Sequence, residues 1–417
     1  MTTFEELYNR LVKASLNGNI DDEIKKLRQD GYSENQLDCL LNPKKYAPVL
    51  KWGKCECSDK KDNCHNKCEF GAFKESENGE IEIDKDKCIG CMKCIEVCKE
   101  KNFKSAREIL PVLEAIRASK GPVYAIIAPA FIGQFSSDVT PGKLRSAFKS
   151  LGFEGMIEVA LFADILTLKE ALEFDRNIKT EQDFQLTSCC CPMWIGMIKK
   201  VYSKLVSHIP ASVSPMIACG RAVKKLHPHA ITVFIGPCLA KRAEAREPDI
   251  ADAVDYVLTF KEVQDLFSIA GIDPSKFDDI DKEHSSRAGR IYARTGGVSE
   301  AVVKTVEKIR RNSNVKVKPV KANGVPECKK MLNNILEGKV EGNFFEGMGC
   351  VGGCVGGPRA IIDRQEGKKH VDSYGNEAKY DTPIDNPYVI ELLHRLGFDS
   401  VESLLEDNEL FTRKWIE

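Results

Sequence analysis

Cys88-Ile-Gly-Cys91-Met-Lys-Cys94-Ile-Glu-Val-Cys98 sets four cysteines at C-x2-C-x2-C-x3-C. This is the spacing by which thiolates hold a 4Fe–4S cube. The short steps let one loop wrap three corners, and the fourth cysteine, a turn onward, reaches a neighbouring cube. Upstream lie Cys55, Cys57, Cys64 and Cys68. The step from Cys64 to Cys68 repeats the ending of the first motif, but the start, C-x-C-x6-C, does not match its beginning. Zinc is the competing occupant for such an irregular group, and the neighbouring motif favours iron–sulfur. Few large apolar residues accompany these eight cysteines between about 46 and 104. The segment is therefore expected to use metal as its core.

The whole chain has 17 cysteines in 417 residues. Disulfide scaffolds are short and secreted, whereas this chain is long and its cysteines fall into tight groups. The start, MTTFEELYNRLVKASL, is acidic and amphipathic, without the basic and apolar regions of a signal peptide. No apolar run approaches the roughly 20 residues of a membrane span. A net charge of -1 gives no sign of nucleic acid or an anionic membrane as partner. A cytoplasmic location is expected.

Residues 1–45 read as small helices, Phe4 to Ala14 and Ile20 to Arg28, broken at Asn17-Gly18 and Asp30-Gly31. They suggest a cap or docking surface without chemistry of its own. From 105 onward helices alternate with short apolar runs. Ala106 to Ser119 reads as a helix that Pro111 kinks or begins. Val123 to Ala128, Ile231 to Ile235 and Tyr256 to Phe260 read as strands. Helices are expected near 142–151, 164–178, 261–270, 298–311 and 327–337. This alternation predicts an α/β region with largely parallel sheets. The polar tract 366–387 reads as a surface excursion.

Three further motifs lie in that region: Thr187-Ser-Cys189-Cys190-Cys191-Pro192-Met-Trp194, Gly236-Pro237-Cys238-Leu-Ala-Lys241, and Glu346-Gly-Met348-Gly-Cys350-Val-Gly-Gly-Cys354-Val-Gly-Gly-Pro358. Each follows a strand-like run: Phe184 to Leu186, Ile231 to Ile235, and Phe344-Phe345. Sites in open α/β sheets gather where strands end, so these distant cysteines can meet in one crevice. Pro192 and Pro237 suit a turn into a helix. The glycines of 347–357 are expected to let backbone approach a bulky inorganic group.

The eight upstream cysteines resemble a two-cluster ferredoxin. The three motifs, in this order and behind that module, resemble the iron-only (di-iron) hydrogenases over about 46–362. The cysteine triple and the Cys350–Pro358 ending resemble the branch called group B. The ferredoxin pattern implies one cube on Cys88, Cys91, Cys94 and Cys68, and another on Cys55, Cys57, Cys64 and Cys98. The hydrogenase resemblance implies an H-cluster: a 4Fe–4S cube bridged to a di-iron unit carrying CO, CN and azadithiolate. Its cube ligands would be Cys191, Cys238, Cys350 and Cys354, with Cys354 as the bridge. Lys241 would face a cyanide, Met348 would pack near the iron–iron axis, and Pro237 and Ala130 would lie at the cofactor. Cys190 would relay protons that reach it through Glu170 and Glu173. Alone, two glutamates three apart most often mark a solvated helix face.

The chain departs from the family pattern in places. Pro210 stands where a relay serine is expected, with Ser212 or water as a substitute. Gly236 replaces a methionine, leaving more room, Ala130 replaces a serine, and Cys189 replaces another. The domains implied are a helical segment (1–45), a ferredoxin-like domain (46–104) and a hydrogenase catalytic domain (105–417). The implied activity is reversible dihydrogen oxidation and proton reduction. Its partners would be a ferredoxin or similar small carrier and di-iron-site maturases. An iron–sulfur assembly or scaffold protein lacking the di-iron unit is the alternative, and a hydrogen sensor a third. The cysteines Cys39, Cys219 and Cys328 read as small buried residues.

Overall fold

Apolar residues three and four apart at the N-terminus make one stripe, and the computed structural model turns that stripe inward. It describes residues 3–53, 66–75, 80–187, 190–280, 282, 284–309 and 315–415. Helices α1 (Phe4–Leu16), α2 (Ile20–Gln29) and α3 (Glu34–Leu41) open the chain. Phe4, Leu7, Tyr8 and Leu11 join the main core. Thr3 with Glu6, and Ser33 with Gln36, form capping boxes on α1 and α3. These occupy N–H groups that a helix start leaves open.

The next segment holds β1 (Val49–Lys51), β2 (Phe73–Glu75), β3 (Ile81–Ile83), the short α4 (Lys93–Val97) and β4 (Phe103–Ser105). β1 pairs antiparallel with β4, and β2 with β3. Its small apolar core is Val49, Met92, Phe103 and, from far along the chain, Leu239. Gly90 has φ +73°, and a Cβ there would stand 3.1 Å from the Leu239 carbonyl oxygen. Only glycine fits such an approach without strain.

The remainder contains α5 (Ile109–Ala118), β5 (Val123–Ile127), α6 (Pro141–Ser150), β6 (Gly155–Glu158), α7 (Ala160–Asn177), β7 (Gln185–Leu186), α8 (Pro192–Lys200), α9 (Pro215–Leu226), β8 (Ile231–Gly236), α10 (Ala240–Glu244), β9 (Tyr256–Thr259) and α11 (Phe260–Ala270). After them come α12 (Arg287–Arg290), α13 (Gly297–Ile309), β10 (Pro319–Asn323), α14 (Val325–Leu336), β11 (Phe344–Met348), α15 (Arg364–Asn376) and α16 (Pro387–Arg395). Two parallel sheets result, ordered β6-β5-β8-β9 and β10-β11-β7. The fold is α/β with largely parallel sheets behind a ferredoxin-like module.

Three expectations need correction. Within 366–387 the chain forms α15, capped by Asp363 and burying Gly367, Val371 and Gly375. The N-terminal segment holds a third helix, α3, beyond the two named from sequence, after the break at Asp30-Gly31. The helix expected from Ala106 begins at Ile109, and Pro111 sits in its first turn, where a missing N–H costs no helical bond. Among the described residues no helix is long and apolar enough to cross a membrane.

Candidate metal centre

Strand ends bring the three distant motifs together. Cys191 follows β7 and caps α8, with Pro192 as the first helical residue. Cys238 comes just after β8, and Cys350 and Cys354 come after β11. Cys191 Sγ accepts the Gly349 N–H at 3.3 Å. Burial pushes the Cys238 thiol up to about 11 and that of Cys354 to about 12, and neighbouring cysteine charges add to both. Cys350 is raised well above its ordinary value by burial and then by Cys238, Cys191 and Cys354. Buried thiols that oppose one another's ionisation favour a cationic metal that holds them as thiolates. Four soft sulfur donors suit iron–sulfur chemistry. No three His, Cys, Asp or Glu side chains among the described residues converge on a single-ion site. A cube spreads its corners and makes no such demand.

Cys68, Cys88, Cys91 and Cys94 line one cavity with Phe70 and Ile89. Cys98 packs against the small core of this module, and its Sγ accepts the Asn102 N–H at 3.4 Å. Cys55, Cys57, Cys64 and Cys189 lie outside the described residues. Ile89 and Phe70 also meet α8, where a Cβ on Gly196 would touch both at 3.5 Å. A second apolar core, with Met193 and Trp194 in it, packs against Cys68 and Cys91 of one group and Cys191 of the other.

Lys241 is buried on α10, and its Nζ donates to Glu244 Oε2 at 2.6 Å. Burial works against its charge. Glu244, Cys238 and Cys354 outweigh that and raise its pKa. Met348 closes β11 and Ala130 follows β5, both buried. Pro237 accepts the Arg359 N–H through its carbonyl at 3.0 Å and packs against Gly357. Gly236 does not open space: a Cβ there would stand 2.7 Å from the Phe234 ring and 3.2 Å from Ala128. The volume of a longer side chain is already filled. Two glycines of the third motif likewise meet protein: Gly347, within β11, lies under Trp194, and Gly349, just after it, lies beside Met193 and Cys191.

Glu170 and Glu173 are no solvated face; both are buried on α7. Glu173 Oε1 accepts from Lys169 Nζ at 2.9 Å, and both its oxygens accept from Ser212 Oγ at 3.2 Å. Pro210 lines a cleft of about 560 Å³ that reaches Lys169 and Glu173. Ser212, two residues on, carries the hydroxyl that bonds Glu173. Cys190 is half-buried at the start of the Cys191 turn. Lys169 carries no signal in sequence, because a Lys–Glu pair four apart is the usual mark of an exposed helix.

Residues 121–358 match the family model described as "Iron only hydrogenase large subunit, C-terminal domain", and 80–103 match a "4Fe-4S binding domain". Iron hydrogenase 1 of Clostridium pasteurianum is 27% identical over 300 residues, covering 62% of this chain and 51% of that one. The chain therefore spans about half the length of that relative. A probable cytosolic Fe–S cluster assembly factor of Aedes aegypti is 22% identical over 345 residues, covering 66% and 72%. A solved FeFe-hydrogenase structure, described for stepwise H-cluster assembly, has a TM-score of 0.61 at 20% identity, covering 74% of this chain and 98% of that one. That likeness is one of fold. Through residues 121–358 the chain belongs to the iron-only hydrogenase large-subunit family.

Proposed function

We propose that the protein is an iron-only hydrogenase of group B character that interconverts dihydrogen with protons and electrons. The observation that carries this reading is the conjunction of four clustered, half-buried cysteines with the buried Lys241, whose charge Cys238 and Cys354 favour. A cube alone needs the cysteines but no buried ammonium. Cys191, Cys238, Cys350 and Cys354 would hold the cube of an H-cluster, with Cys354 as the bridge to its di-iron unit. When bound, that unit supplies the metal at which the H–H bond forms or breaks. An ammonium has three donors, and Lys241 would turn one toward an anionic cyanide while Glu244 holds another. Met348, Pro237 and Ala130 would shape the apolar wall. Cys190 would pass protons between the di-iron unit and Glu170, and Ser212 would link that path to Glu173. Cys68, Cys88, Cys91 and Cys94 would hold one further cube, and Cys55, Cys57, Cys64 and Cys98 another. These would take electrons singly from a ferredoxin-type carrier, and maturases would deliver the di-iron unit.

The assembly-factor relatives make a cluster scaffold the competing reading. Infrared spectroscopy after maturation separates the two. Carbonyl and cyanide bands with dihydrogen turnover are expected; neither bands nor turnover would leave the scaffold. Cys190→Ala should keep the bands and lose on the order of 100-fold or more of turnover.

A further inference from the structure

Strand β7 is two residues long, and it begins at the cleft that Glu173 lines and lies just before Cys190 in the sequence. Gln185 lines that cleft and is 2% exposed. Neither its Oε1 nor its Nε2 has a hydrogen-bond partner among the described residues. Thr187, 1% exposed, has an Oγ1 in the same condition. Both residues donate their backbone N–H toward β11, Gln185 to the Asn343 carbonyl at 3.0 Å and Thr187 to the Phe345 carbonyl at 2.9 Å. Residues two apart on an extended strand share a face. The amide and the hydroxyl therefore follow one another along one side, the amide at the cleft and the hydroxyl two residues nearer Cys190 in the chain. Leu186, between them, belongs to the second apolar core.

A buried polar atom without a partner carries the full cost of leaving water. Three such atoms within three residues form a cluster that leucine and valine would abolish while keeping the strand. Bound water is the usual partner of such groups, making about three hydrogen bonds apiece. The cleft end supplies further donors and acceptors in Lys169, Glu173 and Ser212.

We propose that Gln185 and Thr187 hold a file of water molecules that carries protons between the Glu173 cleft and Cys190. This rests on the hydrogenase reading; the file shares Ser212 at its Glu173 end and needs no hydroxyl at position 210. Each water accepts one proton and releases another, so no electron, atom or co-reactant is consumed. Gln185 and Thr187 act through the water and are positioning residues.

The test uses the full chain with its clusters. A high-resolution structure is expected to place ordered water within hydrogen-bond distance of the Gln185 amide and the Thr187 hydroxyl. Gln185→Leu should lose that water. In turnover, Gln185→Leu and Thr187→Val should slow severalfold and show a larger solvent isotope effect, whereas Thr187→Ser should keep the wild-type values. Dry atoms at both positions overturn the proposal, as does an unchanged isotope effect in Thr187→Val. Infrared bands keep the two failures apart. Bands present with no variant effect sink the water file alone. Bands absent from the wild type sink the hydrogenase reading and the proton role of the file together.

Discussion

At the level of single residues, Ser212 is the clearest case of geometry replacing count. Counting from Trp194 reaches Pro210, which has no hydroxyl to offer, and only the fold brings the hydroxyl two residues on against both oxygens of Glu173. Ser212→Ala should cut turnover by on the order of 100-fold while infrared bands and cluster content stay as in the wild type. Asp164 gives a pH prediction. It is buried and accepts from Ser286 and Gly289, yet burial outweighs these bonds and lifts its pKa from 3.8 to about 6. A raised carboxyl binds its proton more tightly in the folded state. Its contribution is therefore complete below the unfolded value and fades as pH climbs through the folded one. Asp164→Asn removes that dependence, so its Tm relative to wild type should rise as pH goes from about 4 to 7, measured by thermal shift. A difference independent of pH would refute the assignment. The cysteines of 88–98, within residues 80–103 that match a 4Fe-4S binding domain, are legible in sequence because their spacing is local. Lys169, Gln185 and Thr187 are not, since an exposed ion pair and an orphaned amide look alike until burial is known.

At the level of elements, short runs of β-branched and aromatic residues mark β5, β8 and β9 well, because a strand buried on both faces is apolar throughout. α15 leaves no such mark. Lys368 and Lys369 fall among its exposed positions, His370 is half-buried beside Gly133, and two of its three buried residues are glycines, Gly367 and Gly375. Its packing uses small size in place of hydrophobicity, to which a periodicity reading is blind. α3 does carry a signal, Ser33 with Gln36, but its eight residues are too few for a clear period. The N-terminal helices prove structural. Leu11 of α1 is fully buried in the core, and α1 packs on α5 and α11. Leu11→Ala should therefore cost about 2–5 kcal/mol and lower the Tm of the whole chain. A surface cap that docks weakly would show almost no change.

For the molecule as a whole, two kinds of core coexist. The α/β region buries a large continuous apolar cluster, whereas the ferredoxin-like module owns a handful of residues and its thiols. Removing iron with a chelator under reducing conditions should leave amide protection in β5 and β8 and abolish it across β1 to β4, as hydrogen exchange would read. Uniform loss, or uniform retention, would mean that metal and apolar packing are not divided in this way. The division is incomplete at one point. Leu239, the neighbour of Cys238, is part of the small core, and Gly90 is bare so that the carbonyl of Leu239 can rest against it. The module therefore cannot be traded as a cassette. A graft from a relative would have to bring a glycine at that position and a vacancy shaped for a foreign leucine. Lineages that exchange such modules should be seen to inherit the turn after β8 along with them.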